Sequence, residues 1–233
     1  MISKETTCIS EIFSSIQGEG PFVGTRQIFV RFAHCNLDCE FCDEKSRKKA
    51  RYLSVDELAK EIFDLDKGKM HHSVSLTGGE PLMHVPYLEE LLPILRSRKL
   101  KIYLETNGTL PESLKKVMDK IDIIAMDIKL PSSTKREPCW SEHKQFLETA
   151  RGRNLFVKVI ITTETTKKDI DKAVAMVRKV DRDILMVLQP ATPISPRQKE
   201  VPVSVLLDYL FRAEKKLGNV RIIPQVHKLM KVR

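Results

Sequence analysis

Apolar stretches of two kinds alternate along the chain, and their periods predict alternating strands and helices. Short runs of apolar and β-branched residues predict strands at 27–33, 73–76, 101–105, 121–128, 156–162, 184–188 and 220–223. Longer segments with apolar residues at helical spacing predict helices at 55–63, 85–95, 111–118, 141–151, 168–180 and 201–217. About six main strands that alternate with helices predict an α/β fold with a parallel sheet and right-handed crossovers.

Polar and glycine-rich segments follow several of these predicted strands. Residues 34–42 follow the first strand, residues 77–81 (TGGEP) follow the second, and Asn107-Gly108 follows the third. In parallel α/β folds, ligands bind at the carboxyl ends of the strands. We therefore expect the functional residues at this edge of the sheet, and we expect the loop-like segment 130–139 to be an active-site loop or a surface insertion.

The composition is typical of a soluble protein with a sizeable core. Of the 233 residues, 42% are apolar and 30% are charged. The chain shows no apolar run of the roughly 18–20 residues that a membrane span needs, and no secretory leader. These features predict a cytoplasmic protein of one domain, residues 1–233, with no membrane partner. The five cysteines are then expected to be reduced, metal-binding or catalytic.

Basic residues exceed acidic ones, and some of them cluster. The net charge is +9, and residues 45–51 read KSRKKAR. This excess fits a solvated positive face, an anionic small molecule, an acidic protein or a nucleic acid. Because four Tyr and one Trp offer few surfaces on which bases could stack, nucleic acid is the less favoured partner.

Three cysteines lie close together directly after the first predicted strand. Cys35, Cys39 and Cys42 are separated by three and then two residues, so their thiolates can turn toward one centre. Thiolates select zinc, Cu(I) or iron–sulfur clusters. A structural zinc site needs a fourth protein ligand, which is not obvious here, whereas three ligands on a 4Fe-4S cluster leave one iron open. Cys8 and Cys139 are expected to be ordinary buried thiols.

The cysteine spacing resembles the signature of the radical S-adenosylmethionine (SAM) superfamily. In that superfamily the open iron binds SAM, and the reduced cluster cleaves SAM to a radical that abstracts a substrate hydrogen. Two further features match: Phe41 fits the aromatic residue beside the SAM adenine, and Gly78-Gly79-Glu80-Pro81 resembles the element whose backbone meets the SAM amino group. The resemblance implies a partial (β/α) barrel of about six parallel strands.

Further motifs, spread over nearly the whole chain, resemble the 7-carboxy-7-deazaguanine synthase family within that superfamily. They are SIQGEG at 15–20, Arg31, CNL at 35–37, TGGEP at 77–81, ETNG at 105–108, DIK at 127–129, QP at 189–190 and IPQVHK at 223–228. The resemblance implies conversion of 6-carboxy-5,6,7,8-tetrahydropterin into 7-carboxy-7-deazaguanine with loss of ammonia, on the route to 7-deazapurines such as queuosine. It also implies a substrate-binding N-terminal extension (1–26) and a pocket-closing C-terminal tail (219–233).

The same resemblance assigns roles to individual residues. The expected substrate-binding residues are Ile16, Gln17, Gly18, Glu19, Arg31, Thr77 and His227. The expected SAM-binding residues are Phe41, Cys42, Asp43, Gly78, Gly79, Glu80, Glu105, Asn107, Lys129, Gln189 and Pro190. Elementary chemistry agrees at two positions, since a pterin carboxylate needs a cation such as Arg31, and the amide-like edge of a pterin needs donors and acceptors such as those of Gln17. No ordinary protein base is expected, because the radical comes from SAM.

One position departs from the family pattern. After Cys42-Asp43 the family usually carries Thr or Ser, whose hydroxyl contributes to a Mg²⁺ site, whereas this chain has Glu44. A carboxylate is also a hard oxygen ligand suited to Mg²⁺. Glu44 is therefore a candidate Mg²⁺ ligand, and Lys45 or another cation in place of the metal is the alternative. The family also implies a homodimer, and an acidic electron donor such as a flavodoxin or ferredoxin fits the basic charge.

Two other functions stay open at the level of the sequence. One is a different radical SAM enzyme, such as an activase that places a glycyl radical on a partner protein. The other is a zinc-stabilised nucleic-acid-binding module, which draws on the net charge and on the three clustered cysteines. Among the histidines outside the motifs, His71, His72 and His143 are expected at the surface, and His84 is expected to be structural.

Overall fold

The computed structural model describes residues 5–42, 50–193 and 198–232. Within these ranges the strands are β1 (Thr6–Ile16), β2 (Arg26–Phe32), β3 (Arg51–Ser54), β4 (Ser73–Gly78), β5 (Ile102–Thr106), β6 (Ile123–Asp127), β7 (Leu155–Ile161), β8 (Met186–Pro190) and β9 (Val220–Ile222). The helices are α1 (Val55–Leu65), α2 (Val85–Ser97), α3 (Pro111–Val117), α4 (Pro131–Thr134), α5 (Trp140–Thr149), α6 (Lys167–Val180), α7 (Val203–Glu214) and α8 (Val226–Leu229).

The described strands form one open sheet in the order β3-β1-β2-β4-β5-β6-β7-β8-β9. From β2 to β9 along this order every pairing is parallel, with helices in the connections. The predicted α/β fold, a partial barrel of parallel strands, is confirmed. Parallel strands whose connections are helical place all their carboxyl ends at one edge.

Two strands near the beginning of the chain are absent from the prediction. Residues 6–16 form β1, which pairs antiparallel with β2 on one side and with β3 on the other. The mixed pattern TTCISEIFSSI gives β1 no clear period, and its pairing with β2 is what makes it a strand. As a result, the SIQGEG motif begins at the end of a long strand and not in a free loop.

Residues on the inner side of the sheet follow a simple pattern of two layers. In four neighbouring strands, an apolar residue of an inner cluster is followed two positions later by a polar residue at a cavity. The pairs are Tyr103 and Glu105, Ala125 and Asp127, Phe156 and Lys158, and Val187 and Gln189. Since alternate residues of a strand share a face, an apolar layer supports a polar layer directly above it.

The histidine prediction is wrong at two positions. His143 is fully buried, because α5 turns it toward the end of β5, where its Nε2 lies 3.0 Å from the carbonyl oxygen of Asn107. The side chain of His71 is only 2% exposed and contacts Asp66 and Ser14. His84 contacts Thr7 and stacks on Phe32, as a structural residue does.

Three further expectations concern the loop at 130–139, the residues after Cys42 and the absence of a membrane span. The loop-like segment 130–139 contains one helical turn, α4. Asp43, Glu44 and residues 45–49 of the basic run lie outside the described residues. Among the described helices, none has the length and apolar composition that crossing a bilayer requires.

Candidate active site

A cavity opens at the carboxyl ends of β2 and β4–β8, where the parallel topology places a ligand site. Most of the predicted site residues line this one cavity. They are Ile16, Gln17, Gly18, Glu19, Arg31, Cys35, Cys39, Phe41, Cys42, Thr77, Gly78, Gly79, Glu105, Asn107, Lys129, Gln189 and His227. Glu80 and Pro190 do not line it, and Asp43 and Glu44 lie outside the described residues.

The three clustered cysteines enter the cavity from the loop after β2. The backbone N–H of Leu37 donates to Cys35 Sγ at 3.4 Å, and Asn107 Nδ2 lies 3.7 Å from the same sulfur. Asn107 Nδ2 also donates to Asn36 Oδ1 at 2.8 Å, so the cysteine loop is tied to the end of β5. Donors directed at sulfur stabilise a thiolate, which is the form in which cysteine binds a metal.

The thiols lie near one another in a partly buried environment. Burial raises the pKa of Cys39; Lys129 opposes this rise, and Asp127, Cys35 and Cys42 add to it. No three His, Cys, Asp or Glu side chains of the described ranges converge on one point as ligands of a single ion do. Ligands of a 4Fe-4S cluster need no such convergence, because each thiolate binds a different iron. Three soft donors facing an open cavity therefore fit such a cluster.

The glycines after β4 bring two loops into close approach. Gly78 has φ +103°, a conformation that side chains disfavour, and a Cβ on Gly79 would collide with the carbonyl group of His34. This packing holds the start of the cysteine loop against the end of β4. The backbone of Gly78 and Gly79 is thereby exposed to the cavity next to the cysteines.

Glu80 is one of the expected SAM-binding residues, but its side chain does not line the cavity. Its carboxylate is fully buried and accepts hydrogen bonds from the backbone N–H groups of Leu82 (3.0 Å) and Asn107 (2.7 Å) and from Thr106 Oγ1 (2.9 Å). Burial raises the pKa of Glu80 to about 7, although these hydrogen bonds oppose the rise. Glu80 therefore shapes the turn that presents Asn107, and it reaches the cavity only through that residue.

Phe41, Lys129 and Asp127 form a group on the cysteine side of the cavity. Lys129 Nζ lies 5.5 Å from the centre of the Phe41 ring and donates to Asp127 Oδ2 at 2.8 Å. Burial lowers the pKa of Lys129, but the neighbouring Asp127 and Cys39 outweigh it and the pKa is raised. Lys129 is thus a fixed cation between the cysteine loop and the sheet.

The side-chain amide of Gln17 makes three hydrogen bonds to neighbouring residues. Its Nε2 donates to Gln27 Oε1 at 3.1 Å and to Glu105 Oε1 at 3.0 Å, and its Oε1 accepts the backbone N–H of Glu19 at 3.0 Å. Glu105 also accepts from Ser75 Oγ and Thr77 Oγ1, both at 3.0 Å. The amide of Gln17 therefore binds the carboxylate of Glu105 and the backbone of Glu19, two residues that line the cavity.

Arg31 lies on the opposite wall, near the N-terminal strand. Its Nε is 3.2 Å from Glu11 Oε2, and its guanidinium carbon lies 5.8 Å from the centre of the Phe13 ring. Glu11 and Phe13 fix the plane of the guanidinium at the cavity wall. A planar, oriented guanidinium suits a carboxylate ligand.

Sequence reasoning missed Lys158 and Gln225, which complete the far end of the cavity. Lys158 Nζ donates to Glu19 Oε2, and Gln225 Nε2 donates to Glu19 Oε1 at 2.8 Å. The signal for Lys158 is present in FVKVIIT, because a lysine inside an otherwise apolar strand must find a partner. Gln225 stands inside the matched IPQVHK motif, next to the predicted His227.

The C-terminal segment contacts the SIQGEG segment directly. The backbone N–H of Val226 donates to the carbonyl oxygen of Gly18 at 2.9 Å. His227 packs so closely on Gly18 that any side chain there would collide with it, and Lys228 also lines the cavity. The two ends of the chain therefore meet over one side of the cavity.

A half-open parallel barrel with three cysteines beside a glycine turn is the arrangement expected of the radical SAM class. The model of the radical SAM superfamily matches residues 29–187. The chain therefore belongs to the radical SAM superfamily. QueE from Escherichia coli has the same fold, with a TM-score of 0.65 at 21% identity over 95% of each chain.

Curated relatives narrow the family further. The chain is 38% identical to the 7-carboxy-7-deazaguanine synthase of Geobacter sulfurreducens, over 98% of this chain and 99% of the relative. It is 34% identical to that of Methanothermobacter thermautotrophicus, over 97% of each chain. Within the superfamily, the chain belongs to the 7-carboxy-7-deazaguanine synthase family, as the sequence motifs predicted. This membership gives no support to the nucleic-acid-binding alternative or to the activase.

Proposed function

We propose that this protein is a 7-carboxy-7-deazaguanine synthase. It converts 6-carboxy-5,6,7,8-tetrahydropterin into 7-carboxy-7-deazaguanine and releases ammonia, in the biosynthesis of 7-deazapurines. The observation that carries this proposal is the identity of 38% with a curated synthase over 98% of the chain. The cavity agrees with it, because cysteines, glycine turn and polar inner residues face one space.

Cys35, Cys39 and Cys42 would hold a 4Fe-4S cluster, with SAM on its open iron. Bound there, such a cluster would supply, in its reduced state, the electron for radical chemistry with SAM. The protein groups around it bind and orient. Gly78 and Gly79 offer backbone groups to SAM, Phe41 packs against it, and Gln189 and Asn107 line its pocket, while Lys129 keeps a fixed positive charge beside the thiolates.

The pterin would occupy the part of the cavity bounded by both chain ends. Arg31 binds its carboxylate, and the backbone at Ile16 and Gly18 approaches its ring. Glu19 accepts from its ring N–H groups, Thr77 and His227 complete the wall, and Glu105 belongs with the residues that line the SAM pocket. An enclosed pocket also shields a radical from water and from side reactions.

Several finer features belong to the same proposal. The whole chain acts as one radical SAM domain, in which residues 1–26 form the substrate-binding extension and residues 219–233 the pocket-closing tail. Glu44 takes part in a Mg²⁺ site in place of the usual hydroxyl. The protein works in the cytoplasm as a homodimer, and an acidic flavodoxin or ferredoxin reduces it by docking to its basic surface.

Anaerobic reconstitution with iron and sulfide tests this function. The reconstituted protein is incubated with SAM, a reductant and carboxytetrahydropterin, and the products are separated by chromatography. We expect 7-carboxy-7-deazaguanine and 5′-deoxyadenosine. Cleavage of SAM without a deazapurine would contradict the substrate and leave the superfamily intact.

The variant Cys39→Ser tests the cluster ligands. We expect it to lose the absorbance of the cluster and at least about 100-fold of the SAM cleavage rate, because a serine hydroxyl does not replace a thiolate ligand. Cys139→Ser is the matched control, since Cys139 lies outside the cavity lining. Retention of a full cluster by Cys39→Ser would show that another residue is the ligand.

A further inference from the structure

Lys158 is a charged residue in a strand that is buried along its whole length. All seven residues of β7 are buried, and Lys158 follows Phe156 on the inner side of the sheet. Its side chain is only 7% exposed. Removing an ammonium group from water costs several kcal/mol unless an opposite charge compensates it. The neighbours of Lys158 therefore explain why it is there.

Two carboxylates flank the ammonium group of Lys158. Its Nζ donates to Glu19 Oε2, and Asp127 Oδ2 lies 3.9 Å away. Asp127 and Lys158 face each other as partners in the register of β6 and β7. Asp127 already binds Lys129 at 2.8 Å. Among the described ion pairs, Asp127 therefore has two cationic partners, whereas Glu19 has only Lys158.

Glu19 is fixed from three directions. Lys158 binds one carboxylate oxygen, Gln225 Nε2 binds the other at 2.8 Å, and Gln17 Oε1 accepts the backbone N–H at 3.0 Å. Burial raises the pKa of Glu19, but Lys158, Gln225 and Gln189 outweigh it and lower the pKa to about 2. Glu19 is thus an ionised acceptor in a place where burial alone would favour the neutral acid.

An ionised carboxylate suits one edge of the proposed substrate. The pyrimidine ring of a pterin carries an amino group and a ring N–H, which are both donors. A charged acceptor binds such donors roughly twice as strongly as a neutral one, and a protonated carboxyl would turn a donor toward them. We propose that Lys158 is a positioning residue for the pterin, which acts by holding Glu19 as an oriented anion against the donor edge of the ring. This inference rests on the proposed function.

Other charged and titratable groups also surround Glu19. From β5 and β6 they are Tyr103, Glu105 and Asp127, from the loop after β6 Lys129, and from the C-terminal segment His227 and Lys228. None of them donates a hydrogen bond to the Glu19 carboxylate in the described contacts, which come from Lys158 and Gln225. If the removal of Lys158 changes the titration of Glu19, the change can therefore be attributed to the loss of their direct contact.

Steady-state kinetics of reconstituted variants test the inference. The variants are Lys158→Met, Lys158→Arg, Glu19→Gln and the double variant that combines Lys158→Met with Glu19→Gln. For Lys158→Met we expect the KM for carboxytetrahydropterin to rise about 10- to 100-fold, the effect of weakening hydrogen bonds to a charged group. The KM increase should be larger at pH 6 than at pH 8, because without Lys158 burial raises the pKa of Glu19 and more of the carboxylate is protonated at the lower pH. Lys158→Arg should recover most of the affinity, and the dissociation constant of SAM should change less than about twofold.

Lys167→Met is the matched control. Lys167 also pairs with a carboxylate, Asp208 Oδ2 at 3.1 Å, but it is exposed on α6 and does not line the cavity. We expect it to leave the KM unchanged. A Lys158→Met protein with a lower melting temperature and an unchanged KM would overturn the inference, because Lys158 would then only support the fold.

The double variant keeps the test decisive if Lys158→Met folds poorly, since it removes both charges together. If Lys158 acts through Glu19, the double variant should have the KM of Glu19→Gln within about twofold. A clear further rise would mean that Lys158 acts independently of Glu19 and would overturn the inference. The wild-type protein shows whether a failure concerns the proposed function or only the role of Lys158. If the wild type cleaves SAM but forms no deazapurine, the proposed function fails and the inference fails with it.

Discussion

Asn107 connects three parts of the site through one residue. Its Nδ2 donates to Asn36 in the cysteine loop, its backbone N–H donates to Glu80, and its carbonyl oxygen accepts from His143 in α5. Each partner comes from a different segment of the chain. Because the three bonds use different atoms of Asn107, the turn after β5 is fixed before any ligand binds.

His143, which supports this turn, should make the stability depend on pH. It is fully buried, and its Nδ1 has no hydrogen-bond partner among the described residues. Burial lowers the pKa of His143 from 6.5 to about 4, although its bond to Asn107 opposes the change. As pH falls from 6.5 to 4, the unfolded chain binds a proton that the native protein does not, so the contribution of neutral His143 is present above 6.5 and lost toward 4.

We expect His143 to account for about 2 kcal/mol of the stability lost between pH 7 and pH 4.5. Urea unfolding at both pH values measures it, with His143→Asn as the comparison, since Asn is neutral throughout. The variant should lose less stability than the wild type over this interval. Equal losses in the two proteins would mean that His143 is protonated in the native state.

At the scale of elements, α1 begins with a capping box that fixes the edge of the sheet. The Glu57 backbone N–H donates to Ser54 Oγ at 3.4 Å, and the Glu57 carboxylate accepts the Ser54 backbone N–H at 2.8 Å. Ser54 is also the last residue of β3, and Tyr87 of α2 donates to its carbonyl oxygen. One residue therefore joins β3, α1 and α2.

Removing this cap should weaken the fold without changing the chemistry. We expect Ser54→Ala to lower the free energy of unfolding by about 1 kcal/mol, because the backbone N–H of Glu57 loses its acceptor and the Glu57 carboxylate loses the hydroxyl donor. Ser54→Thr, which keeps the hydroxyl, is the control and should cost less. Urea titration measures both, and an equal loss in the two variants would point to packing and not to the cap.

The sequence predicts an element well where the element's own residue pattern determines its conformation. It predicts an element poorly where contacts with neighbouring elements determine the conformation. The helix α6 has a strong helical period and the strand β7 is a nearly continuous apolar run, and the bounds of both agree within one residue with the prediction. By contrast, β1 is a strand because β2 and β3 pair with it, and nothing in its own pattern shows this. His143 is buried because α5 packs over the turn at Asn107, which is a tertiary contact.

The same distinction holds for the site. Contiguous motifs predicted the cysteine loop and the glycine turn, and the cavity brings both together. The sequence did not reveal that Glu80 faces the protein interior or that Lys158 neutralises Glu19. These relations join residues that are 27 and 139 positions apart, so only the folded chain contains them.

At the scale of the whole molecule, the first and last segments of the fold form one wall. Gln225 and Val226 bind Glu19 and Gly18, so the C-terminal segment can hold the SIQGEG segment in place. Substrate affinity should therefore depend on the end of the chain.

We expect a chain that ends at Pro224 to bind the pterin about tenfold or more weakly, since it loses two hydrogen bonds and the wall formed by His227. A chain that ends at Met230 is the control, because it keeps all of these contacts. Initial rates over a range of pterin concentrations give the KM of both. The same KM in both shortened chains would show that the tail does not close the pocket.

The outermost strands of the sheet, β3 and β9, have four and three residues. An open sheet leaves unpaired backbone groups at its two margins, and such margins can recruit strands from other molecules. Margins this short offer only a few N–H and C=O groups as a template. An incomplete barrel can in this way keep a wide mouth for a large cofactor and substrate while resisting aggregation.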